Sequence, residues 1–115
     1  TIQTIQAGIK IGDIGHTIEK LGTKYKNFSI VKDLCGHGIG ICFDEDNYQI
    51  KNYGTPGLGL TLQAGMTFTI EPVHTSGKQS ISTNNDGSIS TKDNSLSALF
   101  GHTVLVTESG CEIIA

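Results

Sequence analysis

The 115-residue chain carries a formal charge of −3, and all eight of its basic residues are lysines. That balance excludes electrostatic attraction to nucleic acid or an anionic membrane, and the missing arginine excludes forked recognition of phosphate. Residues 1–115 are expected to form one domain, since a chain of this length buries roughly two-thirds of its unfolded surface. Cys35, Cys42 and Cys111 are an odd set without CxxC spacing, so neither a disulfide framework nor a zinc knuckle is indicated. A reducing compartment follows, cytoplasmic or organellar, mitochondria included. No run approaches the roughly 18 apolar residues of a membrane helix, and no secretory leader is expected. The first residue is Thr1 rather than Met, which implies processing or a fragment.

In chain order, Asp13 is placed to cap a helix over residues 13–26 with Ile14, Ile18, Leu21 and Tyr25 on its apolar face. Gly12 and Gly15 weaken its start, and Gly22 costs about 1 kcal/mol relative to alanine, so the helix depends on packing. Phe28–Val31 reads as a short strand leading to the glycine-punctuated segment Gly36–Gly40. Asn52–Gly59 is turn-rich and loop-like. Met66–Val73 alternates as a strand and ends at Pro72, which cannot donate to a ladder. Ser80–Ser82 and Ser88–Ser90 flank a Thr-Asn-Asn-Asp-Gly turn, a hairpin signal. The last element, His102–Thr107, turns at Glu108-Ser109-Gly110 and returns through Cys111 to Ile114. A helix followed by antiparallel strands makes the class α+β.

The segments carrying chemistry are Leu34–Phe43 (LCGHGIGICF) and Met66–Pro72 (MTFTIEP), which set His37 and Glu71 on strand-like backbone. An imidazole and a carboxylate suit a metal or peptide-hydrolysis site, yet each has a plainer reading. His37, between glycines on a turn, is equally a hydrogen-bonded relic, and Glu71 a partner for a backbone amide. His102 reads as a structural hydrogen-bonding residue, and His16 and His74 as exposed. Asp44 with Glu45 is a carboxylate pair able to hold a cation, although acidic loop residues are usually solvated. Cys35 and Cys42 read as buried small hydrophobes. Only proximity to His37 would recommend Cys35 as a nucleophile.

Cys35-Gly36-His37-Gly38-Ile39-Gly40, Asn52-Tyr53-Gly54, Gly65-Met66-Thr67-Phe68-Thr69-Ile70-Glu71-Pro72, Ser95-Leu96-Ser97-Ala98, His102-Thr103-Val104 and Gly110-Cys111-Glu112-Ile113 occur in order and near the expected spacing. With Gly12-Asp13-Ile14-Gly15 they make the whole chain resemble the C-terminal half of type I methionine aminopeptidases of metallopeptidase family M24. The resemblance implies one half of a pita-bread fold, a helix packed on a curved, mainly antiparallel sheet, and a dinuclear metal site lying between two such halves. It also implies metal ligation by His37 and Glu71, with a metal-bridged water as nucleophile. Manganese, cobalt, iron or zinc would suit such ligands.

Three positions depart from the pattern. Gly101 stands where the family has a bridging glutamate before His-Thr, Asp44 where it has a substrate-contacting histidine, and Asn47 where proline usually follows. Two further aspartate ligands lie upstream in the family. No catalytic residue is therefore assigned, and His37 and Glu71 are expected as vestigial ligands, with a metal bound only if a partner chain completes the set. The implied function is a non-catalytic, methionine-aminopeptidase-like subunit of a larger assembly, the alternative being half of a split metalloaminopeptidase that removes N-terminal methionine. A stand-alone peptide-binding domain is less favoured, since half a cleft offers one wall. The expected partner is another protein chain covering the cleft side, where Ile39, Ile41, Phe68, Ile70 and Phe100 would be partly uncovered.

Overall fold

The computed structural model describes residues 1–25, 27–41 and 45–115. After a single 3-10 turn at Ile2–Thr4, helix α1 spans Ile11–Thr23. Strands follow as β1 (Ser29–Ile30), β2 (Cys35–Ile39), β3 (Glu45–Lys51), β4 (Thr67–Ile70) and β5 (Val73–Thr75). The chain then forms β6 (Ile81–Thr83), β7 (Ile89–Thr91), β8 (Ser97–Leu99), β9 (His102–Thr107) and β10 (Gly110–Ile113). Among the described residues, β10-β9-β4-β2-β3 form an antiparallel five-stranded sheet, β1-β5-β8 a three-stranded one, and β6-β7 a hairpin. The expected α+β class is what the chain adopts. Among the described residues no helix is long and apolar enough to cross a membrane.

The alternation in β4 and β9 explains the core. Phe68 and Ile70 of β4 and Val104 and Val106 of β9 are buried, and they join Ile14 and Ile18 of α1, Ile50 of β3 and Ile5 and Leu62 from connecting segments. Phe68 is wholly enclosed, with the Tyr48 ring edge-on to it at 6.2 Å. Its truncation to alanine would cost about 3–5 kcal/mol. The expectation that Phe68 and Ile70 stay partly uncovered is therefore corrected: this half closes over its own inner row. Ile41 and Phe100 are exposed, as expected.

Several boundaries move for physical reasons. The helix starts two residues before Asp13, which sits at its third position and accepts a hydrogen bond from the Lys10 amide at 2.8 Å. The other carboxylate oxygen accepts from the Gly57 amide at 2.8 Å, so one side chain ties the helix start to the loop 52–59. The helix ends at Thr23, leaving Tyr25 beyond it and exposed, and Leu21 is exposed as well. Its buried stripe is instead Ile14, Gly15, Ile18 and Gly22. The strand expected over Met66–Val73 divides at Glu71-Pro72 into β4 and β5, which belong to different sheets. Strands β3 and β8 went unread, and the hairpin strands start one residue later than the serines suggested.

The glycines of α1 were misread as weak points. A Cβ at Gly15 would run into the Tyr53 carbonyl and lie 2.9 Å from Lys51 O, both main-chain atoms that cannot step aside. At Gly22 the obstruction is the Ile30 side chain, which can repack. Helix propensity favours alanine by about 1 kcal/mol at either position, whereas overpacking against fixed backbone costs about 1–3 kcal/mol. Gly15→Ala is therefore expected to lower the urea midpoint, and Gly22→Ala to lower it less or leave it unchanged.

Asp13 gives a pH dependence. Its hydrogen bonds from the Lys10 and then the Gly57 amides hold its carboxyl below the ordinary carboxylate value. A depressed folded-state pKa contributes stability that is present above the unfolded value and is lost as pH falls through the folded one. Asp13→Ala should cost roughly 0.5–2 kcal/mol near neutral pH. Denaturant melts should show that deficit shrinking once the pH drops below about 4.

Candidate functional site

Strand pairing assembles the site. In β2 and β4, Gly38 faces Phe68 and Ile39 faces Thr67, which carries His37 beside Thr69. In β4 and β9, Thr69 faces Thr103 and Ile70 faces His102, and the next step sets Glu71 beside Gly101. His37, Glu71 and Gly101 thus meet across three adjacent strands, on the pleat opposite Phe68 and Val104. His37 lies within β2 rather than on the expected turn. The β2–β3 register shifts between His37 and Gly38, an irregularity of the kind that re-aims a side chain beside a site. On the inward pleat a Cβ at Gly36 would strike the Thr69 carbonyl, so only glycine lets β2 approach β4 this closely.

The His37 amide donates to Thr69 Oγ1 at 3.0 Å. Its ring Nδ1 lies 3.0 Å from the Gly38 carbonyl, which can only accept, so Nδ1 carries the proton in that bond. The neutral ring then presents the lone pair of Nε2 to Glu71 Oε1, 3.7 Å away. A cation placed between these two electron-rich atoms would be held from both sides. An imidazole whose second nitrogen donates to a main-chain carbonyl is also the usual arrangement of a metal-ligating histidine. With a proton on Nε2 the contact becomes a partly exposed ion pair, worth about 0–1 kcal/mol.

Of the other candidates, His102 borders the same spot. Gly101 contributes no donor; a Cβ there would lie 3.3 Å from Leu99 Cδ2 and 3.7 Å from Glu71 Cγ, so a longer side chain has room beside Glu71. A depression of about 300 Å³ opens at this spot, lined by Thr69, Glu71, Leu99, Gly101 and Thr103 among others. Among the described residues no group of three or more His, Cys, Asp or Glu side chains is positioned to hold a metal ion. The donors among the described residues are therefore fewer than the three or more that a transition-metal site uses. His102, expected to be a structural hydrogen-bonding residue, is exposed, makes no side-chain hydrogen bond among the described residues and lines the same depression, at the start of β9. His16 and His74, expected to be exposed, are half-buried, as is Cys35. Asp44 and Cys42 lie outside the described residues.

Two residues of the site escaped the sequence. Thr69, nearly buried, supports the His37 amide from the neighbouring strand. Asn52 is fully buried, and its amide nitrogen lies within 3.4 Å of the carbonyls of Val31, Leu34 and Glu71. Its Oδ1 is buried with no partner among the described residues, a desolvation cost of about 1–3 kcal/mol. In sequence Asn52-Tyr53-Gly54 reads as turn chemistry, and nothing local marks the asparagine as enclosed.

Comparison with known proteins agrees with this geometry. The sequence model of metallopeptidase family M24 matches residues 1–108. The chain is 46% identical over 114 residues to a methionine aminopeptidase of Salmonella typhimurium, covering 98% of this chain and 42% of the relative. It is 43% identical over 114 residues to that of Escherichia coli K12, with the same coverage. The crystal structure of the Rickettsia prowazekii methionine aminopeptidase superposes with a TM-score of 0.91 at 46% identity, over 97% of this chain and 45% of that one. That of Thermotoga maritima gives 0.92 at 42% identity, over 97% and 45%. The chain therefore spans less than half the length of these relatives and corresponds to their C-terminal portion. By family match, sequence identity and shared half of the pita-bread fold, the chain belongs to metallopeptidase family M24, alongside the methionine aminopeptidases.

Proposed function

We propose that this chain is a non-catalytic, methionine-aminopeptidase-like module that serves as a structural or binding component of a larger assembly. The observation that carries the reading is Gly101, which sits beside Glu71 with room for a side chain but supplies none. A dinuclear hydrolytic site needs a group that bridges both ions and holds their shared water, and His37 with Glu71 alone provides one imidazole and one carboxylate. When bound, such metals would lower the pKa of that water toward neutrality; this chain's own part would be limited to presenting Nε2 and Oε1 toward one position. A second reading, half of a split metalloaminopeptidase, is favoured by the convergence of His37 Nε2 and Glu71 Oε1, 3.7 Å apart, on one position that donors from another chain could complete.

The test combines metal content with turnover. Protein equilibrated with excess manganese or cobalt and then dialysed is expected to retain less than one equivalent by elemental analysis, and to release no methionine from Met-Ala peptides. Gly101→Glu alone should not restore turnover. Two retained equivalents, or clear methionine release by the unmodified chain, would overturn the non-catalytic reading in favour of the split enzyme.

The proposed partner is another protein chain on the cleft side. Leu99, 55% exposed, lines the depression beside Glu71. Phe100 and Leu96, close to it in sequence, are 72% and 81% exposed, Phe100 on the side of Leu21 and His74, while Phe68 and Ile70 are spent on the core. A stable partner there would bury more than roughly 1,000 Å². In isolation the chain should self-associate in size-exclusion chromatography with light scattering, and Leu96→Ser with Phe100→Ser should shift it toward monomer. A monodisperse wild-type monomer would contradict the proposal.

A further inference from the structure

We infer that Asn52 is the positioning residue of this site, its buried amide joining the lead-in of the His37 strand to the main chain of Glu71 and so setting the gap between the two side chains. Nδ2 lies 3.0 Å from Leu34 O, 3.3 Å from Glu71 O and 3.4 Å from Val31 O. Three carbonyl oxygens at one end of an amide fix which end is nitrogen, because an oxygen there would face only acceptors. Leu34 immediately precedes β2, and Glu71 immediately follows β4. One side chain therefore holds both segments just outside the ladder that pairs them.

The location explains why a side chain is used. Between β4 and β5 the chain changes sheets at Glu71-Pro72, and proline offers no amide to a ladder. Sheet hydrogen bonding fixes Glu71 through β4 and resumes at Val73 only after the chain has crossed to the other sheet. The Asn52 amide supplies a restraint from the other direction, and its own backbone is held next to β3, which pairs with β2.

The amide is both costly and useful. An apolar residue of similar size would relieve the buried Oδ1, unpartnered among the described residues, while withdrawing the donor from the carbonyls of Val31, Leu34 and Glu71. What the apolar residue could not do is hold Leu34 and Glu71 together. The inference rests on His37 and Glu71 being the site, and it holds whether or not the pair takes a metal.

The test is NMR on the full chain without metal or substrate, so that its failure would leave the functional reading untouched. In the wild type, the nuclear Overhauser cross-peak between His37 Hε1 and the Glu71 γ-protons is expected, together with slow solvent exchange of the two Asn52 Nδ2 protons. Asn52→Leu is expected to lose the cross-peak under conditions where the protein is folded. Val106→Ala, a core truncation in the same sheet, should lower the melting temperature yet keep it. Retention of the cross-peak in Asn52→Leu, or its equal loss in Val106→Ala, would overturn the inference. Should Asn52→Leu fail to fold, the wild-type exchange decides: Nδ2 protons exchanging as fast as those of an exposed asparagine would overturn it, and slow exchange would uphold it.

Discussion

The pairing of β4 with β2 on one side and β9 on the other is the constraint on which the rest of this structure depends. Successive residues of a strand point to opposite faces, so a slip of one residue would exchange the core face for the site face. Phe68 and Ile70 on one pleat fill the interior beneath α1, and enclosing them is what holds the register. Given that register, Thr69 and Glu71 point the other way and meet His37 from β2 and Gly101 from β9. Core packing thus brings the members of the candidate site to one place. Hydrogen bonds from Thr69 and Asn52 then act on the main chain of His37 and Glu71.

Close backbone approach is the second requirement, and glycine meets it. Gly36 lets β2 lie against the Thr69 main chain, and Gly15 lets α1 lie against the Tyr53 and Lys51 carbonyls. Gly101 is different in kind, since side-chain atoms flank the space a Cβ would occupy and the nearest main-chain atom, Ile70 O, is 3.8 Å away. The glycines that close backbone approach requires and Gly101, where a side chain would meet mostly side-chain atoms, are therefore distinguishable by what a Cβ would strike.

Buried polarity marks the other side of the site. Asn52, Thr69 and Thr75 are the polar residues enclosed among the described ones, and the first two both act on main chain belonging to His37 or Glu71. Away from the site, exposed turn carboxylates do local work. Asp93 accepts from the Lys78 amide and from Ser95, which draws its pKa down to about 2 and closes the loop after β7.

The sequence by itself determined the class, the family resemblance and the candidate pair. A helix, expected at 13–26 and found at 11–23, and the strand at 102–107 declare themselves through apolar period and turn chemistry, which are local signals, and His37, Glu71 and Gly101 are legible because their motifs are contiguous. What only the tertiary structure decided depends on residues distant in sequence. Gly12 and Gly15 looked like defects until the loop 52–59 was seen to lie against them, and Asn52 looked like a turn residue until three carbonyls from separate segments closed around it. Phe68 and Ile70 looked available to a partner until the helix covered them. Periodicity reports which face of an element is apolar, but which atoms come to rest on that face is settled only when the chain folds back on itself.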